Sequence, residues 1–173
     1  MCRLFYTLVD TYGAKDSKEK RRITSQAAHT YLKTCAKACG FEAVDLELFK
    51  NEQGKPYLKN SEFYFNISHC GEFICIAISE YEIGVDVECI GNVKPQIIER
   101  FLKKNPSDDL ENTYLWTDYE SIGKYYGTGI PHQHVLGKDM AIDRFQCGDF
   151  CISLCHQADD ICTTLQLIQT DGG

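Results

Sequence analysis

The run from Phe63 to Glu88 constrains the fold of this chain most. Phe63 to Ser68 and Phe73 to Ser79 are rich in aromatic and β-branched residues and flank His69-Cys70-Gly71-Glu72, a pattern that predicts a hairpin. After Tyr81-Glu82, Ile83 to Val87 has the composition of a third, neighbouring buried strand. Asp86 and Glu88 flank Val87, so their carboxylates leave the same face of that strand about two rises apart. Such a pair is most often a solvated sheet face. At the end of a buried strand, however, two like charges need a cation to be tolerable.

The remaining elements follow from periodicity and punctuation. Arg3 to Val9 alternates loosely as a strand, and Ile23 to Cys39 has helical spacing that Gly40 closes. Asn51 to Pro56 is a turn, with Gly54-Lys55-Pro56 inside it. Pro95 to Leu102 is helical until Asn105-Pro106, and Ser107 or Asp108 caps a helix expected to run to about Tyr126 and stop at Gly127. Glu120 and Lys124 share a face of that helix, either as a surface ion pair or as an oxygen ligand beside an ammonium. Phe145 to Leu154 and Cys162 to Ile168 alternate like two strands of a second small sheet, with His156 to Asp160 as their turn.

Composition narrows the function classes. At 173 residues, 43% hydrophobic and 25% charged, the chain can bury a core as one globular unit or as two small halves sharing one. The net charge of -7 argues against a nucleic-acid binder. The first residues read as a strand and not as a signal peptide, and no apolar run approaches the roughly 20 residues needed to span a bilayer, so no membrane partner and a cytoplasmic location are expected. In that setting the ten cysteines read as small buried thiols. Cys147, Cys151, Cys155 and His156 lack the paired short spacing of a zinc knuckle. The basic stretch of Lys15, Lys18, Lys20, Arg21 and Arg22 is either a solvated helix start or an anion site.

Gly54-Lys55-Pro56, Asn66-Ile67-Ser68-His69, Gly84-Val85-Asp86-Val87-Glu88 and Trp116 to Lys124, in that order, resemble the 4'-phosphopantetheinyl transferase superfamily. The match is to its longer, surfactin-synthetase-activating (Sfp-like) type and spans roughly Lys20 to Ile130. The resemblance implies an α+β fold of two similar halves in one chain, 1–82 and 83–173, with the active site at their interface and a monomer sufficient. It implies Mg2+ held by Asp86, Glu88 and Glu120, with coenzyme A as donor. Lys124, Ser68 and His69 would contact its phosphates, and Lys55 and Pro56 would line its nucleotide pocket. Arg22, with Lys20 and Arg21, resembles the basic residues at the 3'-phosphate. The implied reaction transfers 4'-phosphopantetheine to a serine of an acyl, peptidyl or aryl carrier protein and releases 3',5'-ADP. Glu120 is the candidate base, with Lys124 and His69 stabilising charge on the leaving group.

Tyr119 departs from the pattern, because the family usually has a lysine immediately before its last glutamate. A coenzyme A binder that has lost transfer, a magnesium-dependent phosphoesterase and a structural interaction module are the rival readings. The last leaves acids at the end of a buried strand unexplained.

Overall fold

A computed structural model describes residues 2–41, 47–59, 61, 63–128, 136–160, 162 and 165–168. Its architecture is mixed α+β. Strand β1 (Arg3–Leu8) leads to helix α1 (Ser17–Ala38), a short hairpin of β2 (Leu48–Lys50) and β3 (Pro56–Leu58), and a long hairpin of β4 (Tyr64–Cys70) and β5 (Phe73–Ser79). There follow β6 (Gly84–Cys89), a short helix α2 (Pro95–Ile97) continued by a π-turn (Ile98–Leu102), α3 (Asp109–Tyr126), β7 (Met140–Cys147), β8 (Phe150–Gln157) and β9 (Leu165–Leu167).

The strands form two main sheets, ordered β4-β5-β1-β9 and β6-β8-β7. Register explains how they stack. In the first sheet Phe5, Ile74, Ile76 and Ile78 pack against Ala28, Leu32 and Cys35 of α1. The alternate residues Leu4, Phe73, Cys75 and Ala77 pack against Val85, Val87, Ile152 and Leu154 of the second sheet. Strand periodicity thus gives β5 two buried faces, and all its residues are buried. The outer face of the second sheet is covered by α3, whose buried Thr117 hydroxyl meets Ser153 at 2.7 Å. The layers are therefore α1, sheet, sheet, α3.

Both long helices begin and end where their sequences dictate. Asp16 accepts from Glu19 N at 2.7 Å, and Asp108 accepts from Glu111 N at 2.8 Å, each filling an orphan donor of a first turn. At the end of α1 the amides of Gly40 and Phe41 reach the carbonyls of Lys37 and Ala36, with Gly40 at φ 85°. The expected start at Ile23 falls short because Asp16, the actual cap, lies among the charged residues that precede the apolar pattern.

Three expectations about the strands are corrected. β6 is a strand, but it pairs with β8 in the second sheet and does not extend the β4-β5 hairpin. It still lies beside β4, because side chains take the place of a backbone ladder there. Asn66 Oδ1 accepts from Val85 N at 2.9 Å, and Ser68 Oγ accepts from Val87 N at 3.3 Å. The segment read as one strand from Phe145 is a hairpin, in which β7 and β8 turn through Gly148 at φ 57°. β9 pairs in parallel with β1 in the first sheet, so it is not a partner of β8.

Candidate functional site

The site lies where β6 is held between β4 and α3. Gly84 makes the close approach possible: a Cβ there would stand 2.1 Å from the Ser121 carbonyl and 2.4 Å from the Tyr125 amide. Only glycine lets the helix backbone sit directly on the strand. Two residues along β6, on the same face, Asp86 then meets Lys124.

Asp86 is 4% exposed, and its two oxygens are treated differently. Oδ1 receives Lys124 Nζ at 2.5 Å and Ser68 Oγ at 2.9 Å, and Lys124 also donates to Ser68 at 2.9 Å. Oδ2 is buried and has no hydrogen-bond partner. A carboxylate oxygen in that position leaves a desolvation cost uncompensated, which marks it as a place for a ligand or cation. Glu88 is half-buried, with Oε2 accepting from Cys70 Sγ and Asn92 Nδ2, each at 3.3 Å. Burial pushes the half-buried Glu120 up to about 7, with the nearby charges of Asp86 and Glu88 adding to the rise and Lys124 opposing it. Glu120 therefore lies within electrostatic reach of both other acids.

Among the described residues no three His, Cys, Asp or Glu side chains converge on one point as a ready-made metal cage. The donor chemistry nevertheless fits a magnesium ion. That ion is commonly held by one or two carboxylates together with waters and substrate phosphates, and Asp86 Oδ2 offers a hard oxygen that nothing else uses.

The positive groups divide between two faces of β4. Successive strand residues point oppositely, so Ser68 faces β6 while His69 faces the α1 side with Ile67. His69 is pushed below its ordinary value first by burial and then by the charges of Arg21 and Lys124. These cations thus act on one region at the β4 edge. Arg22 is turned elsewhere: it donates to Gln26 at 2.9 Å and lies 3.8 Å from Glu19, both on its own helix.

Lys55 is buried, and its ammonium is fully engaged. It donates to Glu82 at 2.6 Å, to the Tyr125 carbonyl at 2.9 Å and to the Ile83 carbonyl at 3.2 Å. An ammonium has three donors, so this one ties the turn before β3 to the end of α3 and the start of β6. Burial lowers its pKa, and Glu82 works against that. With Pro56, Gly54, Asn66, Gly123, Lys124 and Gly127, its stem lines a cleft of about 240 Å³.

Tyr119 occupies an aromatic cluster beside the site face: it stacks on Trp116 at 5.7 Å, and Trp116 meets Phe101 edge-on at 5.6 Å. His156 lies 3.0 Å from Asp143, in a contact not aligned as a hydrogen bond. The ten cysteines are all free thiols. Sequence reasoning missed Asn66, Cys70, Asn92 and the register of Arg21. Of these, only Asn66 and Arg21 lay within motifs it had marked, and nothing local distinguished Cys70 or Asn92.

Comparisons with known proteins return one kind of relative. A family model described as 4'-phosphopantetheinyl transferase, N-terminal, matches residues 15–82. The chain is 35% identical over 91 residues to the 4'-phosphopantetheinyl transferase gsp of Aneurinibacillus migulanus, an alignment covering 47% of this chain and 38% of that protein. It is 29% identical over 140 residues to a 4'-phosphopantetheinyl transferase of Bacillus subtilis, covering 75% of this chain and 58% of that protein. A second Bacillus subtilis protein, 4'-phosphopantetheinyl transferase ffp, is 35% identical over 97 residues, covering 50% of this chain and 43% of that protein. The chain is thus similar in sequence to these 4'-phosphopantetheinyl transferases, and it spans between 38% and 58% of their length.

Proposed function

We propose that this protein transfers the 4'-phosphopantetheine arm of coenzyme A to a serine of an acyl, peptidyl or aryl carrier protein and releases 3',5'-ADP. The observation that carries this reading is Asp86: buried, bound at Oδ1 by Lys124 and Ser68, and left with an orphaned Oδ2 in the field of Glu120. A structural carboxylate needs no vacant oxygen at such a place, whereas a site for a phosphate-bound cation does.

Asp86, Glu88 and Glu120 would hold Mg2+. When bound, that ion neutralises charge on the diphosphate as it becomes the leaving group. The residues of the chain supply the rest. Lys124 stands beside Asp86 to meet the same phosphates, and Arg21 with His69 suits the 3'-phosphate better than Arg22, whose guanidinium is committed to Glu19 and Gln26. The glycine-lined cleft beside Pro56 and the Lys55 stem receives the nucleoside. Glu120, on a different element from the other two acids, takes the proton of the attacking serine hydroxyl as its oxygen bonds to the pantetheine phosphorus. The phosphorus bond to the bridging oxygen breaks, and that oxygen leaves on 3',5'-ADP.

On this reading the halves 1–82 and 83–173 meet at the site, the first bringing Lys55, Ser68 and His69 and the second the acids and Lys124, so a monomer is sufficient. A cytoplasmic location is part of the same proposal. Among the described residues no helix is long and apolar enough to cross a membrane.

The test is intact-mass spectrometry of an apo carrier protein incubated with this protein, Mg2+ and coenzyme A. A mass gain equal to phosphopantetheine is expected, lost when the metal is chelated and lost in Asp86→Ala while that variant stays folded. Coenzyme A binding with no gain on several unrelated carriers overturns the transferase reading in favour of a binder without transfer. Gain that survives chelation overturns the metal assignment.

A further inference from the structure

Two side chains outside the acid motifs converge on one oxygen of Glu88. Cys70, the last residue of β4, donates to Oε2 at 3.3 Å, and Asn92 donates to the same atom at 3.3 Å. Asn92 Nδ2 also lies 3.5 Å from Cys70 Sγ, so the two donors and the carboxylate oxygen form a closed triangle. The backbone is shaped to bring Asn92 back over the strand end. Asn92 N bonds the Cys89 carbonyl at 3.0 Å, Gly91 adopts φ 86°, and Ile90 N anchors the turn to the Asp149 carbonyl at 2.8 Å. The triangle thereby links the first sheet, the end of β6 and the β7-β8 turn.

We infer that Asn92 and Cys70 are positioning residues for Glu88, holding Oε2 so that Oε1 is presented to the cation shared with Asp86. This rests on the reading of the acids as ligands of a divalent cation. The reason is conformational. A free glutamate must fix all its side-chain torsions when it ligates, whereas one tethered through a single oxygen has already given up that freedom. Supporting hydrogen bonds of this kind commonly change metal affinity about 10–100-fold when removed. Asn92 is exposed and contributes little apolar burial, so its bond to Glu88 has no packing role that would explain it otherwise.

The experiment is calorimetric titration of Mg2+ into the full chain saturated with coenzyme A, with thermal unfolding of the metal-free protein recorded in parallel. Asn92→Ala, which removes the amide donor, and Cys70→Val, which removes the thiol donor at similar size, are expected to weaken Mg2+ binding about 10-fold or more. Their melting temperatures should stay near that of the unaltered protein. Cys70→Ser, which keeps a donor, should bind Mg2+ nearly as the unaltered protein does. Affinity in Asn92→Ala and Cys70→Val equal to that of the unaltered protein overturns the positioning role. So does a loss in Cys70→Ser as large as in Cys70→Val, which would assign the effect to packing. If the unaltered protein binds no Mg2+ with coenzyme A present, the cation reading fails first and takes this inference with it.

Discussion

The two long helices cover equivalent outer faces of the two sheets with opposite chemistry. The buried face of α1 is mainly apolar, with Ala28, Leu32, Cys35 and Ala36 set against phenylalanine and isoleucine. The buried positions of α3 include Asn112, Thr113, Thr117, Ser121 and Gly123. Apolar packing is non-directional and tolerates small rotations of a helix. A hydrogen-bonded, glycine-close contact fixes rotation and height together. Ser153 donates to Asp118 at 2.6 Å while meeting Thr117, and Arg144 donates to Asp118 at 2.6 Å, so α3 is pinned over the second sheet by directed bonds. The tighter device sits under the helix that carries Glu120 and Lys124. In α1 hydrophobic area gives stability; in α3 polar contacts give placement.

That contrast is easiest to break at Gly84. Gly84→Ala forces a methyl into the backbone of Ser121 and Tyr125, and a loss of about 4 kcal/mol or more is expected from denaturant unfolding, the range that overpacking reaches when neither partner can yield. An unchanged midpoint would mean the close approach places nothing.

On the other helix, Leu32→Ala should cost about 2–5 kcal/mol by the same measurement, as core truncations do. Coenzyme A affinity, measured well below the melting temperature, should barely move. Thr117→Val, which deletes the hydroxyl that meets Ser153 and the Tyr114 carbonyl, should cost only about 1 kcal/mol. It should nevertheless lower activity more than Leu32→Ala does. The reverse ranking would erase the distinction between the helices.

Lys55→Met sharpens the picture at the end of α3. Removing the ammonium strands Glu82 and two carbonyls, and a loss of about 1–3 kcal/mol is expected, discounted from a fully buried pair because the Glu82 side chain is 32% exposed. Coenzyme A binding should fall less than stability does; a selective loss of binding would return Lys55 to the nucleotide. The smallest effect belongs to Arg22→Ala, within about 0.5 kcal/mol in stability and nearly silent in coenzyme A binding, whereas Arg21→Ala should weaken that binding measurably.

Much of the fold was legible because its signals are local. The β4-β5 hairpin shows in two apolar runs around a turn, and α3 shows in Asp108, its spacing and Gly127. Gly148, the turn that divides β7 from β8, was passed over because the alternating pattern continues across it. β9 was assigned to the wrong sheet because three residues carry no record of which edge they will join.

The sequence by itself determined which residues carry charge, which segments alternate, and the order of motifs that links this chain to its relatives. Tertiary structure alone decided that β6 leaves the first sheet and that Asn66 and Ser68 replace a backbone ladder beside it. It also decided that the Lys55 ammonium is spent on Glu82 and two carbonyls. The physical reason is range. Propensity, capping and alternation act within a few residues, whereas a hydrogen bond between Ser68 and Asp86 or between Lys55 and Tyr125 depends on directions that exist only once two sheets and a helix have packed.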